Sequence, residues 1–287
     1  MKNQKHLFWL LIPLIAGCVN LKIANSYADT SIKAIESYKT TGFSFKSLCL
    51  RRCEITRLSD RIMGNFKPID KPLPCDDCKE QVKADEAISK ILGGLTTYLE
   101  SVQKLSDDGI GIKYDGLADA LDKTDLINVD TKEINAYKNL ISFASNIIVD
   151  SKRKTTLHDN IARANPPFTE LTEKVIIIID KQLVAYLNAQ KEIEHDEYEV
   201  LVKVSNSMIE KINIEKAYFE KIKDLESINS RLVKYRDILK SVKDGHNELY
   251  KSGAKLDNKY LANQLYSYFN TLKKLKIEFD NLKTTKQ

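Results

Sequence analysis

The chain has 287 residues, with 45 Lys+Arg against 40 Asp+Glu, a formal charge of +5. Charges this close to balance give a general nucleic-acid-binding role no electrostatic support. Ten Gly and six Pro among abundant Lys, Glu, Leu, Ile and Asn favour helix, and the length allows a sizeable core in one elongated domain or two small ones.

The segment Met1–His6 carries Lys2 and Lys5 and no acid. An apolar or small run, Leu7 to Gly17, follows and ends at Cys18. A basic start, an apolar stretch and small residues form the secretory pattern. The run is shorter than the roughly 20 residues a spanning helix needs, and Pro13 weakens it further. Ile15-Ala16-Gly17-Cys18 resembles the lipobox of bacterial lipoproteins, with Ile where Leu is commonest. The resemblance covers residues 1–18 only. It implies diacylglycerol on the Cys18 sulfur, cleavage before Cys18 and often acylation of the new amine; two or more acyl chains anchor a protein stably. Val19 stands where an Asp commonly retains such proteins in the inner membrane, which implies sorting to the outer membrane, facing the periplasm. The alternative is an ordinary cleaved signal with an incidental cysteine. Cleavage removes Lys2 and Lys5, leaving 43 Lys+Arg against 40 acids, or +3.

Residues 19–40 read as a mixed polar lead-in, helical, running away from the membrane. Phe45 to Met63 reads as a helix, closed by Gly64 and a loop with Pro68, Pro72 and Pro74. A second helix runs from near Cys75 to about Ser106, with Gly93-Gly94 as a weak point. Gly109–Gly116 reads as a loop or short extended piece. Asp130-Thr131-Lys132-Glu133 has capping-box spacing, so a helix should begin there and pass Asp150. Asn165-Pro166-Pro167 should reset the chain. A long helix then runs to about Met208; Leu171, Val175, Ile179, Leu183 and Leu187 keep four-residue steps through the β-branched run Val175–Ile179, so helix is preferred there over strand.

The clearest period is C-terminal. Leu261, Leu265, Tyr268, Leu272, Leu275, Phe279 and Leu282 alternate steps of four and three. Upstream, Tyr218, Leu225, Leu232 and Leu239 fall at sevens, with Ile228, Tyr235 and Val242 between them or beyond. Gly245 and Gly253 bracket the connection, so two helices of about 40 Å should form an antiparallel hairpin. The fold expected is all-α: an elongated helical bundle with a C-terminal antiparallel coiled-coil-like hairpin. The expected organisation is a signal peptide (1–17), a lipidated lead-in (18–40), a cysteine-bridged helical region (41–165) and a long-helix bundle (166–287).

Cys49 and Cys53 share one helix face, as do Cys75 and Cys78. In an exported protein such clusters are usually disulfides. If the two helices run antiparallel, the ladder joins Cys49 to Cys78 and Cys53 to Cys75, the inner bridge contributing about 3 kcal/mol. Zinc on four thiolates is the rival, since Cys-x2-Cys is a common half-site. A redox role for Cys75-Asp76-Asp77-Cys78 lacks a βαβ setting. Asp122–Glu133 has the length of a calcium loop but holds Ile127 at the glycine position. Gly109-Ile110-Gly111 follows no convincing strand, which leaves a dinucleotide site unsupported. His158, His195 and His246 sit among charged residues and read as surface groups. The acid run Glu192–Glu197 reads as a solvated helix face.

No metal ligand set, cofactor site or catalytic constellation is expected from these patterns. The function expected is a lipid-anchored bacterial envelope protein, a non-catalytic helical binding or spacer module held to the membrane through Cys18 and meeting a protein partner, without nucleic acid. The alternative is a lipid-anchored periplasmic enzyme or ligand-binding protein with an inter-helical site.

Overall fold

A computed structural model describes residues 12–63, 78–106, 126–145, 153–251 and 259–284. Among these residues there is no strand. The helices are α1 (Ile12–Glu36), α2 (Phe45–Met63), α3 (Lys79–Ser106), α4 (Thr131–Ser145), α5 (Arg153–Ile178), α6 (Val184–Val204), α7 (Met208–Lys251) and α8 (Lys259–Thr284). The fold is an all-α helical bundle. The first eleven residues, the proline loop 64–77 with Cys75, the Gly109–Gly116 segment and Gly253 lie outside the described residues.

One wide turn with i→i+5 hydrogen bonding, Ile179–Leu183, joins α5 to α6, so a single rod runs from Arg153 to Val204. The rod packs antiparallel on α7. Thr169 meets Asn247, Glu173 meets Lys243 at 3.1 Å, Asp180 meets Arg236 at 2.9 Å, and Tyr198 stacks on Tyr218. Each step forward on the rod is thus matched by a step back on α7. Helix α8 returns along α7, with Lys234 paired to Glu278 at 2.7 Å. Its seam residues Leu265, Leu272 and Phe279 are buried in the same core cluster as Leu232, Tyr235, Leu239 and Val242 of α7. Each buried side chain of this size stabilises by about 1.5–3 kcal/mol relative to exposure.

Helix α1 packs on α3, α7 and α8. Ala24, Tyr27, Ala28, Ser31, Ala34 and Ile35 are buried at steps of three and four. The Tyr27 hydroxyl donates to the Val242 carbonyl, Tyr235 donates to the Ile35 carbonyl at 2.9 Å, and Arg231 Nε donates to the Thr41 carbonyl at 2.7 Å. The expected lead-in over residues 18–40 is therefore corrected: from Ala24 on, it is a core helix. Its buried stripe is small and partly polar, so it carries little hydrophobic signal, yet small side chains are what admit close helix packing.

Three other expectations change. Pro166 and Pro167 lie inside α5, so the division at 165/166 falls within one helix. A mid-helix proline costs about 3 kcal/mol. That cost is offset by burial on both sides, of Leu157, Ile161 and Ala164 before it and Phe168, Leu171 and Val175 after. The rod ends at Val204, where Ser205 turns extended. Helix α7 passes straight through Gly245 to Lys251, which makes it about 66 Å long rather than 40 Å.

Both interior glycines mark close approaches. A Cβ on Gly94 would stand 2.8 Å from the Tyr137 ring, and one on Gly245 would overlap the Tyr27 ring. Helix propensity alone favours Ala over Gly by ~1 kcal/mol. Gly245→Ala is nonetheless expected to destabilise by about 1–3 kcal/mol, because the buried Tyr27 must move. Urea denaturation reads the sign directly, and a raised midpoint would contradict the packing of α1 on α7.

Candidate functional site

Helix α2 is fastened at its start. Asp85 of α3 accepts hydrogen bonds from the Ser44 hydroxyl at 2.9 Å and from the backbone N–H groups of Phe45 at 2.9 Å and Lys46 at 3.0 Å. A carboxylate there satisfies orphan donors and suits the positive end of the helix. Cys49 and Cys78 are joined by a disulfide with an S–S distance of 2.09 Å. Cys53 is disulfide-bonded as well; the partner expected for it, Cys75, lies outside the described residues. Among the described residues no group of three or more His, Cys, Asp or Glu is arranged to hold a metal.

Two residues past Cys49, Arg51 reaches the acid run. Its Nε and Nη2 each donate to Glu194 at 3.1 Å, and Nη2 also meets Glu197. Lys221 of α7 pairs with Glu194 at 3.2 Å and Glu197 at 3.0 Å, and Gln190 donates to Glu194 at 2.9 Å. Both carboxylates are buried, so the expectation of a solvated face is corrected for them. Burial acts to raise the Glu194 carboxyl. Hydrogen bonds from Arg51 and Gln190 and the charges of Arg51 and Lys221 outweigh it, holding the group below its ordinary value. This pairing stabilises the fold above the unfolded carboxylate range and is lost as pH falls through the lower folded value.

His246 is also corrected, since it is wholly buried. Its Nδ1 lies 2.9 Å from Asn165 Oδ1 and its Nε2 lies 2.9 Å from the Tyr98 hydroxyl. An amide oxygen only accepts, so Nδ1 carries the proton and Nε2 accepts from Tyr98; one neutral tautomer satisfies both. The ring stacks on Phe168 at 4.2 Å. Burial pushes the imidazole down to about 3. His195 is exposed beside Glu199, and the side chain of His158 lies outside the described residues.

Sequence spacing held a signal for both clusters. His246 continues Leu239, Val242 and Leu249 in steps of three and four, and Glu194 and Glu197 continue Leu183, Leu187 and Gln190 in the same way. Polar residues in core register are buried when partners reach them. The partners Arg51, Lys221, Asn165 and Tyr98 come from distant parts of the chain and could not be paired by spacing.

Among the described residues, most of the exposed large apolar side chains gather at the α6–α7 tip. Met208 and Ile209 are 74% and 73% exposed and Phe219 is 60% exposed, with Val204 and Ile212 open beside them. Beneath the tip, a crevice of about 270 Å³ is lined by Tyr198, Leu201, Asn213, Ile214, Ala217 and Tyr218 and, at its inner end, by the paired Glu194, Glu197 and Lys221. Cys18 belongs to the opposite end. Nine residues back from Tyr27 is Cys18 and nine on from Val242 is Lys251, so the antiparallel α1–α7 pairing makes Cys18 level with the end of α7. Only five residues separate Cys18 from buried Ala24, and all of them are helical. Among the described residues no helix is long and apolar enough to cross a membrane. Comparison with protein-family models, curated proteins and solved structures gives no match to this chain.

Proposed function

We propose that this chain is a bacterial envelope lipoprotein, anchored through Cys18 in the outer membrane and facing the periplasm, whose bundle is a non-catalytic strut that meets a protein partner at its α6–α7 tip. One observation carries the reading: the lipobox cysteine and the exposed apolar tip stand at opposite ends of α7, about 65 Å apart along its axis. The groups that chemistry would most readily use, His246, Glu194 and Glu197, are spent on internal pairing. The alternative, an inter-helical ligand or catalytic site, has the tip crevice in its favour. At about 270 Å³ that crevice falls below the roughly 300–1,000 Å³ usual for ligand sites.

Two measurements in intact cells test the reading. Cys18→Ser should move the protein from the detergent phase to the aqueous or unprocessed fraction, and a photo-crosslinker at Ile212 should give a discrete adduct that one at exposed Ile277 does not. A wild-type protein whose intact mass shows no acyl group overturns the anchor. Identical crosslinking at both positions overturns the tip.

A further inference from the structure

We propose that α2 is a redox latch, closed over α6 by its disulfides and opened by a dithiol reductant about its own first turn, with the rest of the bundle left folded. The first turn is the fixed point. Asp85 holds the Ser44 hydroxyl and the Phe45 and Lys46 N–H groups. The Phe45 ring is buried, edge-on to Phe43 at 4.9 Å and to Tyr186 of α6 at 5.0 Å. From there α2 runs along α6 in the same direction, since Phe45 meets Tyr186 and Arg51 meets Glu194.

Beyond the first turn the apolar grip is thin. From Cys49 to the end of α2, Ile55 is the one buried side chain among the described residues. Helix α2 packs on α3 and α6, whereas α1, α3, α5, α7 and α8 close on one another without it. The free length is therefore fastened by the Cys49–Cys78 bridge to the start of α3, by the bridge at Cys53 and by the ion cluster of Arg51 with Glu194 and Glu197. Cys49 is half-buried and Cys78 buried, so an incoming thiolate reaches their bridge from the Cys49 side. It bonds to the Cys49 sulfur, and Cys78 leaves as a thiolate that takes up a proton. The second thiol of the reductant then displaces Cys49, so the bridge becomes two thiols and the dithiol becomes a disulfide.

Opening changes the charge on the face beneath. Arg51 leaves Glu194 and Glu197, and Arg52 leaves the Tyr186 ring, which its guanidinium covers at 5.0 Å. The α6 face thus loses two positive charges, and of the cations paired with the two carboxylates only Lys221 stays. In an oxidising compartment the latch rests closed.

The test follows amide hydrogen exchange by mass spectrometry in the protein purified in detergent, oxidised and after dithiothreitol, with free thiols counted by mass. Peptides within 49–63 should exchange at least about tenfold faster once the bridges are open, while peptides of α5, α7 and α8 keep their protection. Reoxidation with oxidised glutathione should restore the slow rate. Arg51→Gln should exchange slowly over 49–63 while the bridges are closed and faster than wild type once they are open. Four results overturn the latch: bridges that dithiothreitol leaves intact in the folded protein, unchanged exchange over 49–63 with Cys49, Cys53 and Cys78 free, protection lost across the whole bundle at once, or fast exchange in oxidised Arg51→Gln. The last would make the ion cluster, rather than the disulfides, the fastening.

Discussion

Leu272→Asp is expected to destabilise the protein by ~4 kcal/mol or more. Leu272 is fully buried in α8, one heptad from both Leu265 and Phe279, on the face that α7 and α1 cover. Removing a buried Leu side chain costs about 2–5 kcal/mol in lost contacts and cavity. The new carboxylate must also be buried without a partner or force α8 off the bundle. Ile277→Asp, on the exposed face of the same helix, should stay within about 0.5 kcal/mol of wild type. Urea denaturation at pH 7 compares the two. Equal midpoints would mean that α8 does not pack as described.

Acid should act first through His246. Its folded value, about 3, lies below the ordinary imidazole value of 6.5, so the unfolded chain binds the extra proton. The stability tied to neutral His246 is fully present above about pH 6.5 and is lost progressively as pH falls toward 3. Between pH 6.5 and 5 most carboxylates stay ionised in both states, so this window isolates the histidine. Its contribution should approach ~1.4 kcal/mol per pH unit at the lower end. His246→Gln keeps a donor and an acceptor near Tyr98 and Asn165 while removing the titration. Its denaturation midpoint should be flatter over this window, whatever its absolute stability. An identical slope in both proteins would show that the ring is protonated in the fold.

The long helices were legible because their periods are carried by large side chains. Leu265, Leu272 and Phe279 announce one face of α8, and Phe45–Met63 was bounded by its own composition. The α4 start was legible too, since Asp130 and Glu133 make both halves of the capping box, with Lys132 N donating to Asp130 at 2.8 Å and Asp130 N donating to Glu133 at 3.0 Å. The features that spacing does not reveal depend on distant partners. Helix α1 buries alanines and a serine, whose value lies in letting Tyr27 approach Gly245. The prolines of α5 obey a local rule that favours a break, and tertiary burial on both sides overrides it. The buried Glu194, Glu197 and His246 look like solvated groups until Arg51, Lys221, Asn165 and Tyr98 are brought to them.

The packing of α1 on α8 has a consequence for how the chain is made. The first helix of the bundle leans on the last, and α7 is fully paired only once α8 has folded back along it. A nascent chain still missing residues 259–284 therefore has an open core wall, whatever its helices have already formed. Such closure by sequence-distant contacts delays completion of the fold until residues 259–284 have been made. On the lipoprotein reading proposed above, this topology holds the chain open for passage through a secretion pore, because its ends cannot close on each other earlier.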